Sequence, residues 1–156
     1  MINYQKKITC LTEQDTKALA EKIADIAQKG DVFALYGTLG AGKSTFARYF
    51  IQHLTSAQDI PSPTFTLVQT YETSLFDIYH YDMYRLKSPE EAYELDIEDA
   101  FYSAVSLVEW PEKISPLLPK DLWKISIEAT GNNRIFVLET TSQEKKQRLE
   151  RQFLNE

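Results

Sequence analysis

A single cysteine, Cys10, occurs among the 156 residues, so no internal disulfide can form and no set of thiolates is available for a metal site. Cys10 sits in an apolar stretch and reads as a small core residue, not a reactive thiol. No segment approaches the roughly 20 consecutive apolar residues of a membrane span, and no apolar run follows Lys6 and Lys7 at the start of the chain. The expectation is a cytoplasmic protein with no membrane association. Positive charge is also scarce: 17 Lys and Arg stand against 23 Asp and Glu, a net charge of −6. That balance argues against tight nucleic-acid binding by the chain alone, because neutralising phosphates needs clustered cations. Any nucleic acid in its biology is expected to be held by a partner. Linkers and internal repeats are missing too, and the composition, 43% hydrophobic and 12% aromatic, is enough for one core. The expected organisation is a single domain over residues 1–142 followed by a polar helical tail, 143–156.

What is present is an alternation of strand and helix patterns. Lys6 to Leu11 reads as a strand, and Thr12-Glu13-Gln14-Asp15 has the form of a capping box opening a helix. Leu19, Ile23, Ile26 and Ala27 recur along one helical face, with Gly30 as the expected stop. Asp31 to Tyr36 is the apolar run of a strand covered on both sides. Thr45 to Leu54 again has helical spacing. After the stiff Pro61-Ser62-Pro63, Thr64 to Glu72 and Leu75 to Tyr84 read as two strands around a turn near Thr73-Ser74. Ser88-Pro89 marks a helix start, Ala104 to Glu109 a second buried strand, and Leu122 to Ala129 with Arg134 to Thr140 a hairpin across Gly131-Asn132-Asn133. The tail, Gln143 to Asn155, is expected to be a helix whose charges are solvated.

Between the Asp31–Tyr36 strand and the helix after it lies Gly37-Thr38-Leu39-Gly40-Ala41-Gly42-Lys43-Ser44, which fits G-x-x-x-x-G-K-[ST] at every fixed position. Glycines at 37, 40 and 42 let the backbone present successive N–H groups to a phosphate at the positive end of a helix. Lys43 supplies a cation for the β and γ oxygens, and the Ser44 hydroxyl suits the Mg²⁺ that bridges them. No Asn-Lys-x-Asp, the guanine-reading motif, occurs, so ATP is the expected nucleotide.

A second carboxylate is needed near the end of a neighbouring strand. Glu109 ends the other fully apolar strand downstream and is the candidate, although a charge that merely ends a strand would look the same. In His80-Tyr81-Asp82-Met83-Tyr84-Arg85, strand periodicity puts His80 and Asp82 on one face. Asp82 could orient an attacking water with His80 fixing its position; the competing account is a rim pair with Asp82 satisfied by Arg85. Tyr71, Tyr79, Tyr81, Tyr84, Phe65 and Phe76 make the hairpin aromatic, through core packing or as a partner surface.

Gly37 to Thr45, Ser62-Pro63-Thr64-Phe65-Thr66-Leu67-Val68, His80-Tyr81-Asp82-Met83-Tyr84-Arg85-Leu86 and Val108-Glu109-Trp110-Pro111-Glu112 together resemble the TsaE (YjeE) family in motif, order and spacing, from about Thr9 to Arg134. The resemblance implies an α/β P-loop NTPase fold, a mixed sheet with a parallel core and antiparallel strands and helices on both faces. It further implies ATP and Mg²⁺ binding, and weak hydrolysis that matters in complex with TsaB and TsaD during threonylcarbamoyladenosine modification of tRNAs reading codons that begin with A. Contact with tRNA would be indirect. By position, the resemblance gives Gly40, Ala41, Gly42, Lys43, Ser44 and Thr45 the phosphate contacts and Ser44 with Glu109 the metal. Thr64 falls in a switch loop, Asp82 is needed for hydrolysis, Thr12 and Glu13 lie near the nucleotide, and Trp110 lies beside the site. Ser44 replaces the usual threonine, and the family's Gly-Arg pair is split here as Gly131-Asn132-Asn133-Arg134, for which a surface ion pair at a strand end is an equal account.

Two other readings stay open. A small-molecule P-loop kinase would want more arginines than Arg48, Arg85 and Arg134, those present before the tail. A binding module gated by ATP occupancy, without need of turnover, differs only in what Asp82 must do.

Overall fold

The computed structural model describes residues 4–154. Its strands are β1 (Tyr4–Cys10), β2 (Val32–Tyr36), β3 (Val68–Glu72), β4 (Asp77–Asp82), β5 (Val105–Glu109), β6 (Trp123–Thr130) and β7 (Asn133–Thr140). Its helices are α1 (Glu13–Asp25), α2 (Lys43–Leu54), α3 (Ile97–Ser103) and α4 (Gln143–Gln152), with 3₁₀ segments at Pro89–Leu95 and Pro111–Leu117. The strands form one sheet in the order β1-β7-β6-β2-β5-β4-β3. β2 runs parallel to both β5 and β6, and β4 parallel to β5, while β3 and the β1-β7-β6 group pair antiparallel. The mixed sheet with a parallel centre agrees with the expected fold class. Among the described residues, no helix is long and apolar enough to cross a membrane.

The central strands alternate between two cores, as the period of two requires. Phe33, Leu35, Ile78, Val105 and Leu107 face α1 and α2 on one side, joined by Trp123, Ile125 and Ile127 of β6. Val32, Tyr81 and Val108 face α3 and the 3₁₀ segments on the other. Phe46, Ala47, Phe50 and Ile51 make the buried stripe of α2, and Phe50 meets Phe33 edge to face at 5.3 Å between ring centroids. Cys10 is buried in this core, as expected, and burial raises its thiol pKa. The aromatic hairpin divides: Tyr81 and Phe76 are buried, whereas Phe65 and Tyr84 are exposed.

Several boundaries differ from the sequence reading. The capping box forms, with Asp15 N–H donating to Thr12 Oγ1, but α1 ends at Asp25 and Gly30 is not its stop. Gly30 takes φ +89° further on, and its N–H donates to the Ala104 carbonyl at 2.8 Å, which leads the chain into β2. The strand expected from Thr64 begins only at Val68, because Leu67 turns left-handed, φ +70°, and breaks extension. The helix expected at Ser88 is a 3₁₀ segment, with Pro89 at its first position and Glu91 accepting from the Lys87 and Ser88 N–H groups.

The largest correction concerns the tail. Residues 143–152 are helical, but the helix is not a solvated one: Lys145, Arg148, Leu149 and Phe153 are all buried. Arg148 forms a bidentate pair with Asp31 at 2.7 and 3.0 Å, both residues buried, and also donates to the Ile26 carbonyl and to Glu144. A charge run looks solvated in sequence because its partner, Asp31, lies 117 residues away. Asn155, where that tail helix was expected to end, lies outside the described residues, as do Met1 to Asn3 of the amino-terminal reading.

Candidate functional site

The C-terminal ends of β2, β5 and β4 lie side by side, and open α/β sheets bind ligands in the crevice beyond such ends. The loop from β2 into α2 crosses this end. Gly37 has no room for a side chain, since a Cβ there would meet the Ile127 carbonyl oxygen at 2.8 Å. Gly42 caps α2 with φ +118°, a conformation disfavoured for L side chains, and offers no side-chain cap. The first N–H groups of α2 therefore have no intrahelical acceptor and lie at the positive end of the helix dipole, a geometry suited to an anion.

Lys43, the first residue of α2, is buried. Its ammonium donates to the Gly37 carbonyl and lies 3.4 Å from the centroid of the Trp110 ring. Burial lowers its pKa, while Glu109, Glu112 and Asp82 oppose that shift. Trp110 reaches this position because it follows β5 in a left-handed conformation, φ +57°.

The acidic side of the site comes from strand register. β4 and β5 are parallel with Asp82 directly opposite Glu109, so two carboxylates, 5% and 2% exposed, stand on the same face. Like charges so placed repel unless something stabilises them. Ser44 Oγ donates to Glu109 Oε1 at 2.9 Å, and His80 Nε2 lies 2.6 Å from Oε2. Thr64 Oγ1 donates to Asp82 Oδ2, and the Tyr84 N–H to Oδ1, each at 3.0 Å. Arg85 does not satisfy Asp82; its guanidinium lies over Phe65, 5.2 Å from the ring centroid. The expectation that His80 fixes Asp82 also needs revision, because its partner is Glu109, diagonal to it across the strands.

Among the described residues there is no cluster of three or more His, Cys, Asp and Glu arranged to hold a metal. The donors present are a hydroxyl and a carboxylate in contact, Ser44 and Glu109, with a second carboxylate beside them. That set fits Mg²⁺, which is commonly held by one or two side chains with waters and phosphates, better than it fits a metal needing a full protein cage.

Gly40, Gly42, Lys43, Ser44, Thr45, Thr64, Asp82, Glu109 and Trp110, together with Leu39, line one cleft. An adjoining cleft shares Gly40, Gly42 and Thr45 and is walled by Thr12, Glu13, Asn132 and Arg134. The two clefts meet at Gly40, Gly42 and Thr45, one reaching Lys43 and the other the start of α1. Ala41, buried behind the loop, lines neither. Glu13 is held by Tyr49, whose hydroxyl donates to it at 2.9 Å. Among the described residues Arg134 forms no ion pair of the kind considered for it; it donates to the Gly131 and Asn133 carbonyls beside the cleft. Asn132 and Arg134 reach the cleft through the β6-β7 turn, where Gly131 has φ +62°, and the split Gly-Arg spacing gave no sign of it.

A seven-stranded mixed sheet, with a glycine loop leading into α2 and carboxylates at the ends of adjacent parallel strands, defines a P-loop NTPase fold. The family model for "Threonylcarbamoyl adenosine biosynthesis protein TsaE" matches residues 10–136, and the chain belongs to that family. It is 47% identical over 123 residues to the tRNA threonylcarbamoyladenosine biosynthesis protein TsaE of Rickettsia felis, covering 78% of this chain and 72% of that one. The protein of the same name from Bacillus subtilis is 36% identical over 130 residues, 83% of this chain and 81% of its own. The crystal structure of Bacillus subtilis YdiB superposes with a TM-score of 0.79 at 29% identity, covering 97% of this chain and 96% of that one.

Proposed function

We propose that the chain is a Mg²⁺-dependent ATP-binding protein with weak ATPase activity, which serves threonylcarbamoyladenosine modification of tRNAs reading codons that begin with A by acting on a complex of TsaD and TsaB in the cytoplasm. The observation that carries this reading is the convergence of Lys43, Ser44, Thr64, Asp82 and Glu109 on one cleft at the end of the parallel strands. In this reading the glycine loop and Lys43 hold the β- and γ-phosphates, and Thr12, Glu13 and the nearby turn flank the nucleoside. Ser44 and Glu109 hold Mg²⁺, which supplies charge neutralisation on the phosphate oxygens.

Asp82 orients the attacking water, and Thr64 senses the γ-phosphate by exchanging its bond to Asp82 for one to the nucleotide. Leu67 supports a switch role for this loop, because a left-handed leucine is strained by about 1–2 kcal/mol and such strain clusters at switch segments. TsaD, not this chain, transfers the threonylcarbamoyl group, and tRNA is reached only through the partners.

Reconstitution tests the proposal: purified chain, TsaD, TsaB, tRNA and ATP, with modified nucleoside counted per complex. The expected result is more than one product per complex only when the chain and hydrolysable ATP are both present. Equal turnover with a non-hydrolysable analogue would favour an occupancy-gated binding module, and a phosphorylated metabolite formed in cell extract would favour a kinase.

A further inference from the structure

The two carboxylate oxygens of Glu109 have different partners. Oε1 accepts from Ser44 Oγ, and Oε2 lies 2.6 Å from His80 Nε2. An ionised carboxylate can only accept, so the proton of that second bond belongs to Nε2. Both residues are 2% exposed, which keeps water from competing. His80 stands opposite Leu107, one pleat before the Asp82–Glu109 pair and on the same face, so the parallel register itself delivers the ring to Glu109. Its Nδ1 meets no hydrogen-bonding partner among the described residues. Among the described residues, the ring's hydrogen bonding is thus confined to Glu109.

That bond has a specific consequence. The terminal torsion of a glutamate is broad and roughly two-fold, so the carboxylate alone does not choose an orientation. Asp82, directly opposite, adds a repulsive neighbour. With the Nε2 donor in place, one oxygen is held back in the sheet and the other is turned toward Ser44.

From this geometry we infer that His80 is a positioning residue of the magnesium site: its Nε2–H fixes the plane of the Glu109 carboxylate, holding one oxygen so that the other is presented to Ser44, and so sets how much Mg²⁺ the protein requires without contributing to the hold on the nucleotide phosphates. The inference rests on the reading of Ser44 and Glu109 as the Mg²⁺ ligands. It assigns His80 no contact with nucleotide or water.

The test uses the full chain and N-methylanthraniloyl-ATP as a fluorescent probe, titrated in EDTA and across a range of MgCl₂. His80→Gln carries an amide N–H that can reach the place of Nε2. His80→Asn is similarly polar, but its N–H falls at the level of Nδ1, short of Glu109. Comparing the two variants with each other cancels the cost of removing the ring. The expected result is that His80→Asn raises the MgCl₂ needed for half-maximal binding by about 10- to 100-fold, the usual effect of losing an outer-shell partner, while His80→Gln stays within about threefold of wild type. Affinity in EDTA is expected to be the same in all three proteins. The inference is overturned if His80→Gln is as impaired as His80→Asn, if His80→Asn matches wild type, or if affinity falls equally in EDTA and in Mg²⁺. A wild-type chain that binds the probe equally well with and without Mg²⁺ strikes the underlying reading of Ser44 and Glu109 instead.

Discussion

Thr64 Oγ1 donates to Asp82 Oδ2 at 3.0 Å, which ties the loop after Pro63 to the last residue of β4. Ser62 Oγ lies 2.8 Å from the same threonine hydroxyl, and the Asp82 N–H donates to the Leu67 carbonyl, so the loop is fastened to the strand at both ends. A carboxylate held this way is available to position a water and does little to hold a nucleotide. Asp82→Ala is therefore expected to leave ATP affinity within about threefold while lowering hydrolysis by about 10²–10⁴-fold, the range for a lost acid-base group. Equilibrium binding and single-turnover hydrolysis check the two parts separately. Normal multiple-turnover tRNA modification with this variant would refute a need for hydrolysis.

Lys43 and Trp110 make the second prediction. The ammonium 3.4 Å from the indole centroid must leave the ring if it moves to a phosphate, and the other tryptophan, Trp123, is buried in the core away from the cleft. Adding ATP should change the intrinsic fluorescence in wild type and not in Trp110→Phe. Lys43→Ala should weaken ATP binding at least tenfold, because a charge-assisted hydrogen bond is worth about 1.5–3 kcal/mol. An unchanged affinity would remove Lys43 from the phosphate site.

Much of this arrangement was legible in the sequence wherever a residue's partner is local or its conformation demands one residue type. The glycine loop, the capping box at Thr12 and the ends of β2 and β5 are of that kind. The pairing of His80 with Glu109 was not, because it depends on the register between two parallel strands 29 residues apart, and period-two reasoning within one strand sees only the face shared with Asp82. The place of Arg134 was not legible for a similar reason: it depends on how the β6-β7 turn folds back toward Gly42. The burial of α4 is hidden in the sequence in the same way, because Arg148 meets its partner Asp31 only through the fold.

That buried pair carries a stability prediction. Removing one member of a buried ion pair leaves an uncompensated charge, at a typical cost of about 3–5 kcal/mol. Arg148→Met should fall near the lower end, since Lys145 Nζ remains 3.7 Å from Asp31 Oδ1. Urea unfolding measures the loss. A double variant, Asp31→Leu with Arg148→Met, should recover most of it, and failure to recover would mean that the pair's other bonds, from Arg148 to the Ile26 carbonyl and from the Gln28 N–H to Asp31, matter more than the charge pair.

Glu91 gives a pH dependence of stability. It accepts from the Lys87 and Ser88 N–H groups, and these bonds hold its pKa below the ordinary value of 4.5. A depressed folded-state pKa stabilises the fold fully above the unfolded value, and the contribution is lost as pH falls through the folded value. Glu91→Ala should therefore lower the melting temperature at pH 7, and the difference from wild type should shrink as pH drops below 4.5. A difference independent of pH across that window would show that the cap acts without its charge.

The isolated chain should hydrolyse ATP slowly. An arginine supplied to the transition state is worth about 10³–10⁵ in rate in related phosphoryl transfers, and no arginine lines the cleft that holds Ser44, Thr64, Asp82 and Glu109. The arginines before α4 have other partners: Arg48 pairs with Glu13 at 3.7 Å, Arg85 covers Phe65, and Arg134, in the adjoining cleft, donates to carbonyls of its own turn. Among the described residues, then, this cleft carries Lys43 but no arginine to meet the charge that would develop during transfer. Solo turnover should lie far below about 10 s⁻¹, a median enzyme value, and should rise when TsaD and TsaB are added, because a partner can supply the missing charge or close the loop at Thr64. Steady-state phosphate release with and without the partners decides it. Fast turnover by the chain alone would mean that Lys43 and the metal suffice, and the case for a partner-driven switch would fail.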